Sequence, residues 1–137
     1  MARVLLGAAL VFGPIVAHAQ DIEPEVVEGV PSALAQFTTA VENREPVDQV
    51  SFVANDVREI ILFSDLRQLQ GRTVTHRWIH DGEVQAEVDF EVRGPRSRVW
   101  SSKALLEEWL GDWTVEIVTD DGEVIAAETF TYTDAGR

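Results

Sequence analysis

The chain has 137 residues, 45% of them hydrophobic, with 24 acidic and 11 basic side chains and a net charge of −13. This acidic balance argues against nucleic acid or an anionic membrane as a partner of the whole domain, because both repel a negative surface. The chain contains no cysteine, so we expect no disulfide framework and no lipid attached to cysteine, and packing alone must stabilise the fold.

The first residues have the three parts of an export signal. Arg3 supplies a positive start, an apolar run covers residues 4–17, and Ala17-His18-Ala19 has the small-x-small cleavage pattern. The run is shorter than the roughly 20 residues that span a bilayer. We therefore predict a helical signal peptide over residues 1–19, cleaved after Ala19, with retention as a membrane anchor as the alternative. Cleavage would leave a periplasmic protein with no stable membrane anchor.

The remainder predicts one β-rich domain. Residues 20–33 are acidic and weakly patterned, and we expect a flexible N-terminus there. Residues 34–133 consist of short β-prone runs between turn residues, and residues 134–137 form a tail. We predict strands over 34–42, 58–64, 72–79, 83–93, 96–103, 112–119 and 123–133, with a short helical segment over residues 104–110. About seven strands at this spacing predict an all-β fold, an antiparallel immunoglobulin-like β-sandwich.

The strand from Glu83 to Arg93 has the most regular alternation. Its even-numbered residues should share a buried face, and its odd-numbered polar residues should share a solvated one. The buried set comprises Val84, Ala86, Val88, Phe90 and Val92.

The turn at His80-Asp81-Gly82 determines how this strand pairs with the preceding one. A two-residue loop would pair Trp78 with Gln85 on the acidic face. A three-residue loop pairs Trp78 with Val84 and His76 with Ala86, which keeps the apolar groups together. We predict the three-residue loop, with His76 facing the core, Arg77 facing solvent beside Gln85, and His80 in the turn. The hairpin at residues 120–122 allows either register.

No catalytic pattern stands out. The predicted mature chain has only His76 and His80 as histidines, in different settings, so we expect no metal site and no cofactor. Phosphate-binding loops and a nucleophile elbow are absent, and Ser101 and Ser102 have no identified base partner. Carboxylate pairs carry no information in so acidic a chain. We therefore expect that the protein is not an enzyme.

Basic and aromatic residues gather in one part of the sequence. All basic residues except Arg3 and Arg137 lie between Arg44 and Lys103. Arginine beside tryptophan can hold anionic or sugar ligands by bidentate hydrogen bonds and stacking. The alternative is that these bases pair with the acidic sheet face while the tryptophans fill the core. The candidate binding residues are Arg77, Arg98, Trp100 and Lys103.

Several segments together resemble a bacterial family described as domain of unknown function 2914. Within residues 34–133 they are Phe37-Thr38-Thr39-Ala40-Val41, Arg44-Glu45-Pro46-Val47-Asp48, Phe63, Leu66, Gly71, Val74, His76-Arg77-Trp78, Arg98-Val99-Trp100-Ser101-Ser102-Lys103 and Gly111-Asp112-Trp113-Thr114-Val115. The resemblance implies an exported or membrane-tethered domain of Gram-negative bacteria and no catalytic residue. It marks His76, Trp78, Ser101, Ser102 and Trp113 as a structural motif. An aromatic residue often stands in this family where the chain has Ser97.

Two functions follow as hypotheses. The first is a periplasmic, non-catalytic binding or protein-interaction module whose partner is an envelope protein. The second is a module that binds cell-wall or other anionic glycan through the four candidate binding residues, which requires that they converge on one surface.

Overall fold

The computed structural model describes residues 29–136, so the predicted signal peptide, with Ala17 and Ala19, lies outside the described residues. Within residues 29–136 the chain forms strands and no helix, which confirms the predicted all-β class. This part of the chain therefore contains no helix long and apolar enough to cross a membrane. Its ten strands are β1 (Ser32–Thr38), β2 (Val41–Glu42), β3 (Glu45–Pro46), β4 (Phe52–Ala54), β5 (Glu59–Arg67), β6 (Thr73–His80), β7 (Glu83–Glu91), β8 (Arg96–Ala104), β9 (Gly111–Thr119) and β10 (Val124–Thr133).

Two larger sheets face each other in a sandwich-like arrangement. One has three strands in the order β1-β5-β8, and the other has five in the order β4-β10-β9-β6-β7. Neighbouring strands are antiparallel except β4, which runs parallel to β10. The short β2–β3 hairpin stands apart from both sheets.

Large apolar side chains fill the space between the sheets. Phe37 on β1 meets Phe130 on β10 edge to face, with ring centroids 4.8 Å apart, and approaches Trp78 on β6 at 6.0 Å. Leu62 and Leu66 on β5 and Trp113 and Ile117 on β9 are fully buried in the same core. Alternation along each long strand places these residues on the inner face, which explains why the sequence pattern predicted the long strands.

The seven long strands overlap the predicted segments with shifted ends: β1 begins at Ser32, inside the predicted flexible N-terminus, and ends at Thr38, and β5 extends to Arg67. The prediction did not include the β2–β3 hairpin, the three-residue β4 or its parallel pairing. The predicted helical segment over residues 104–110 is wrong, because β8 continues to Ala104 and a loop with a turn follows. Leu105 is buried and its N–H donates to the Arg58 carbonyl at 2.9 Å, so the chain stays extended where a helix would have to start.

The β6–β7 register corrects the predicted turn. The loop has two residues, Asp81 and Gly82, with φ values of 55° and 76°, as a type I′ turn requires. A bulge on β7 at Gln85 then shifts the pairing by one residue. The bulge, not a longer loop, keeps Ala86, Val88 and Phe90 on the inner face with Trp78.

The same bulge changes individual pairings. Trp78 pairs with Ala86 and His76 with Val88, two residues beyond the predicted partners. Both side chains are fully buried, so the predicted core-facing position of His76 is right. Val84 pairs with Ile79 and lies on the outer face, not on the predicted inner one.

Two further positions near this turn differ from the prediction. Arg77 faces outward as predicted, but its cross-strand neighbour is Glu87 rather than Gln85. His80 is not a turn residue: it ends β6 on the inner face and stacks on Trp113, with ring centroids 4.4 Å apart. The hairpin at residues 120–122, for which the sequence allowed either register, pairs Val118 with Val124 and has a bulge at Ile125.

Candidate functional site

The outer side of the three-stranded sheet carries an aromatic and guanidinium cluster. Trp100 on β8 stacks on Phe63 of β5, with ring centroids 5.9 Å apart and planes inclined by 16°. The Arg44 guanidinium, from the turn of the β2–β3 hairpin, lies 5.5 Å from the centroid of the Trp100 ring. We call this surface the β8 face; it comprises Arg44, Glu45, Phe63, Asp65, Arg96, Arg98 and Trp100.

The hairpin reaches this face because its turn is tight. Asn43 and Arg44 have φ values of 53° and 64°, the left-handed conformation of a two-residue hairpin turn. The hairpin brings Arg44 and Glu45 against β8: the Arg44 Nη2 donates to the Arg98 carbonyl at 3.1 Å, and the Arg98 Nη1 donates to Glu45 at 3.2 Å. Side chains more than 50 residues apart in sequence thus share one surface.

The charges on the β8 face are largely paired within the molecule. Arg96 binds both Asp65 oxygens, at 3.1 and 2.8 Å, and Arg67 binds the same carboxylate from within β5 at 3.1 Å. Burial opposes the ionisation of Asp65, but the hydrogen bonds and charges of the two arginines outweigh it and hold its pKa below the usual value. Any anionic ligand must therefore compete with carboxylates that the arginines already bind.

A shallow groove of about 240 Å³ crosses this face between β1, the hairpin and β8. Leu34, with 75% of its surface exposed, borders the groove together with Phe63 and Arg98. The volume is below the roughly 300 Å³ at which pockets for small ligands begin. It therefore suits a protruding side chain better than an enclosed ligand.

A larger hollow lies at one end of β6 and β7. It measures about 450 Å³ and is lined by residues 71–73 and 91–93, without an aromatic side chain. Its Arg72 already donates two hydrogen bonds to Asp120, at 3.0 and 2.8 Å. The aromatic and basic residues singled out in the sequence are not part of this hollow.

The structure divides the four candidate binding residues among three places. Arg98 and Trp100 lie together on the β8 face. Arg77 lies on the outer side of the five-stranded sheet, bound to Glu87 and Glu116 at 3.1 Å each. Lys103 lies on the other side of β8, where its Nζ approaches the Trp109 ring at 5.1 Å. One continuous surface does not contain all four.

A buried polar network connects the two sheets behind the β8 face. His76 on β6 contacts Ser64 on β5 through Nε2, at 2.9 Å, and Ser101 on β8 through Nδ1, at 2.7 Å. The Trp78 indole N–H donates to the same Ser101 hydroxyl at 3.1 Å, and the Ser64 hydroxyl donates to the Val99 carbonyl at 3.3 Å. The four side chains in this network are all buried.

The direction of these bonds assigns the proton on His76. Since the Ser64 hydroxyl donates its proton to Val99, it accepts from His76, so Nε2 carries the ring proton. Nδ1 then accepts from the Ser101 hydroxyl, whose oxygen accepts from Trp78. Burial lowers the pKa of His76 to about 4, so the ring is neutral at pH 7. His76 is fully buried and contacts both β5 and β8, so it links the two sheets through hydrogen bonds.

The five residues of the structural motif are placed as follows. His76, Trp78 and Ser101 form the buried network, and Trp113 is buried in the core with its indole N–H donating to the Trp109 carbonyl at 3.0 Å. Ser102 is exposed on the outer side of β8. Within residues 29–136, no three histidine or acidic side chains form a group that could hold a metal ion.

Comparison with known families gives one match. Residues 71–132 match the family described as protein of unknown function (DUF2914). This part of the chain is a DUF2914 region. The predicted family is thereby confirmed, over a shorter stretch than the resemblance suggested. The DUF2914 region runs from Gly71, just before β6, to Tyr132 in β10 and includes β8 and three members of the buried network. No curated protein matches the chain.

Proposed function

We propose that the protein is an exported, periplasmic binding module without catalytic activity, built on an immunoglobulin-like sandwich, that recognises another envelope protein through its β8 face. The observation that carries the proposal is Trp100, held between Phe63 and Arg44 on an outward sheet face. Tryptophan and arginine are the residues that most often dominate the energy of protein interfaces. The export pattern at residues 1–19 supports the location.

The charges favour a protein partner over an anionic glycan. Arg96 and Arg98 are already bound to Asp65 and Glu45, so most of the charge on the β8 face is offset within the molecule, and Arg44, which donates to the Arg98 carbonyl, leaves the face with a small positive excess. Such a surface matches the mixed character of protein interfaces, where polar groups are paired around an aromatic centre. The small groove beside Leu34 fits a single side chain of a partner.

Glycan binding is the second candidate, and the partly exposed Trp100 beside Arg44 and Arg98 supports it. A sugar ring can stack on an indole while an adjacent guanidinium bonds its hydroxyls or carboxylates. The surface for this role contains Arg44, Arg98 and Trp100, and it excludes Arg77 and Lys103, which face elsewhere.

The test compares capture of envelope components by the wild type, Arg98→Ala and Arg93→Ala. Arg93 is the matched control because its side chain is 85% exposed and its ion pair is with Glu91 on β7, an edge strand of the other sheet. We expect Arg98→Ala to reduce capture of one envelope protein at least tenfold, while Arg93→Ala leaves it unchanged. A loss of this size is typical of truncating a central interface residue.

Purified peptidoglycan is the second arm of the same experiment. Sedimentation with peptidoglycan that Arg98→Ala abolishes, without specific capture of a protein, would select the glycan function. Equal capture by both arginine variants, together with no peptidoglycan binding, would contradict both functions of the β8 face. Circular dichroism of each variant confirms that the comparison is between folded proteins.

A further inference from the structure

We propose that the partner binds as an added strand along the free edge of β8, and that this strand alternates apolar with acidic residues. The inference rests on the proposed function and specifies the partner's chemistry. Three features of the described residues support it. Backbone N–H and C=O groups at the free edge of β8 point away from β5, a cation lies at each end of the open part of this edge, and the inner apolar side chains of β7 are only partly buried.

The register shows which backbone groups of β8 are free. Beyond the two ends of the β5–β8 ladder, the Gln68 N–H donates to the Pro95 carbonyl and the Leu105 N–H donates to the Arg58 carbonyl. In an antiparallel pair, bonded and non-bonded positions alternate, so odd-numbered residues of β8 bond to β5. The N–H and C=O groups of Trp100 and Ser102 therefore lie in the plane of the sheet and point away from β5, towards the free edge.

Two side chains occupy the ends of this edge. Arg44 donates to the Arg98 carbonyl at 3.1 Å, and the Lys103 Nζ donates to the Ala104 carbonyl at 3.4 Å. The open stretch between them runs from Trp100 to Ser102 and contains no charged residue. A partner strand that pairs here places its ends beside these two cations, which favours acidic residues at its ends.

The other edges of the described sheets are protected. The outer face of β7 carries the acidic side chains of Glu87, Asp89 and Glu91, and β7 also has the bulge at Gln85. The edge of β1 is covered where Phe37 forms a bridge with Val50, and β4 has only three residues. Charges, bulges, covering segments and short strands are the usual means of preventing strand addition, and the middle of β8 has none of them.

The two sheets differ in width, and the difference leaves apolar surface open beside β8. The five-stranded sheet ends at β7, whereas the three-stranded sheet ends at β8, which lies opposite β6, as the contact between Ser101 and His76 shows. No strand of the described chain lies opposite β7. Its inner side chains Ala86, Val88 and Phe90 are therefore only partly buried.

A strand added to β8 would lie about 4.8 Å beyond it and about 10 Å above β7. Its inner side chains would cover Val88 and Phe90, and its outer side chains would lie beside Arg98 and Arg44. A strand that alternates apolar and acidic residues therefore places its apolar side chains against β7 and its acidic side chains beside the two arginines. At physiological salt, screening over about 8 Å limits the repulsion from the chain's more distant acidic groups.

The first test uses the full chain, purified after expression with its own leader, and the nine-residue peptide Glu-Val-Glu-Val-Glu-Val-Glu-Val-Glu. Hydrogen exchange of single amides is measured by nuclear magnetic resonance with and without the peptide. We expect exchange of the Trp100 and Ser102 amides to slow at least tenfold, while the Ser101 amide, which already bonds to β5, changes little. The matched peptide with lysine at every glutamate position should give no such protection.

Ser102→Pro and Ser102→Ala form the second test. Proline removes an N–H that points outward, so it blocks the edge without breaking the β5–β8 ladder, and alanine keeps that N–H. We expect Ser102→Pro to weaken binding of the glutamate peptide at least tenfold and Ser102→Ala to leave it unchanged. If Ser102→Pro does not fold, Val88→Glu should weaken binding to the same extent, with Glu87→Gln on the outer face of β7 as its control.

Three results would overturn strand addition. These are binding of the glutamate peptide without protection of Trp100 and Ser102, equal binding of the lysine peptide, and protection that appears with protein concentration alone, which would make a second copy the occupant. If Arg98→Ala loses capture but the Trp100 and Ser102 amides stay unprotected, the proposed binding function stands and the added strand is rejected. Protection of the edge by the peptide with no Arg98-dependent capture would reject the proposed role of the β8 face instead.

Discussion

At the scale of single residues, Ser101 links the two sheets through one buried hydroxyl. Its hydroxyl donates to His76 and accepts from Trp78, so it satisfies two buried polar groups across the gap between the sheets. Ser101→Ala leaves both His76 Nδ1 and the Trp78 indole N–H without a partner, and each such buried group costs about 1 to 3 kcal/mol. We therefore expect the free energy of unfolding to fall by about 2 to 4 kcal/mol. Urea denaturation at pH 7 measures the change.

Its neighbour provides the matched control. Ser102→Ala removes the same hydroxyl group, but from a side chain that is exposed on the outer side of β8. The free energy of unfolding should therefore stay within about 0.5 kcal/mol of the wild type. Equal effects of the two substitutions would show that the buried network contributes no stability beyond packing.

At the scale of elements, the β6–β7 hairpin depends on its two turn residues. Gly82 has a φ of 76°, which a residue with a side chain adopts only with strain, although a Cβ there would meet no atom within 4 Å. We expect Gly82→Ala to lower the free energy of unfolding by about 1 to 2 kcal/mol through backbone strain alone. Gly94→Ala is the control, since Gly94 lacks a positive φ and its Cβ would sit at an ordinary 3.7 Å from the Arg96 carbonyl. Similar losses in both variants, measured by chemical denaturation, would contradict this explanation.

The same hairpin shows what the sequence could and could not predict. Alternation identified the long strands and the inward side of His76, because side-chain direction depends only on position along a strand. No residue in the sequence marks the bulge at Gln85. The three-residue loop was therefore chosen because it pairs apolar side chains, whereas the structure achieves such pairing with a two-residue loop followed by the bulge. The β2–β3 turn contains no glycine at Asn43-Arg44, so Asn43 alone, which tolerates a positive φ, indicated a tight turn.

The candidate site was predictable in part for the same reason. Arg98 and Trp100 lie on one face because they are two positions apart on β8, and this spacing is visible in the sequence. The spacing also places Lys103 on the other face, a distinction that the clustering of basic residues obscured. Phe63 and Arg44 join the site only through the pairing of distant segments, which one sequence does not specify.

At the scale of the whole molecule, the buried histidine makes the fold sensitive to acid. The pKa of His76 is about 4 in the folded chain because burial disfavours the charged ring, and it is near 6.5 when the chain unfolds. Between these values the unfolded chain binds the extra proton, so the free energy of unfolding falls as the pH falls from 6.5 towards 4. Hydrogen-bonded carboxylates such as Asp48 and Asp65, whose pKa values are lowered, add to the loss at still lower pH.

The contribution of His76 can be separated from that of the carboxylates by a difference measurement. We expect the wild type to lose about 2 to 3 kcal/mol more than His76→Gln between pH 7 and pH 4.5, since each unit of pKa difference corresponds to about 1.4 kcal/mol. Glutamine cannot take up the proton, while every carboxylate and the net charge at pH 7 stay the same, so their effects cancel in the comparison. Urea denaturation at the two pH values provides the measurement, with tryptophan fluorescence and circular dichroism followed together to establish a single transition. Parallel pH profiles would show that the His76 network opens to water before the sheets separate.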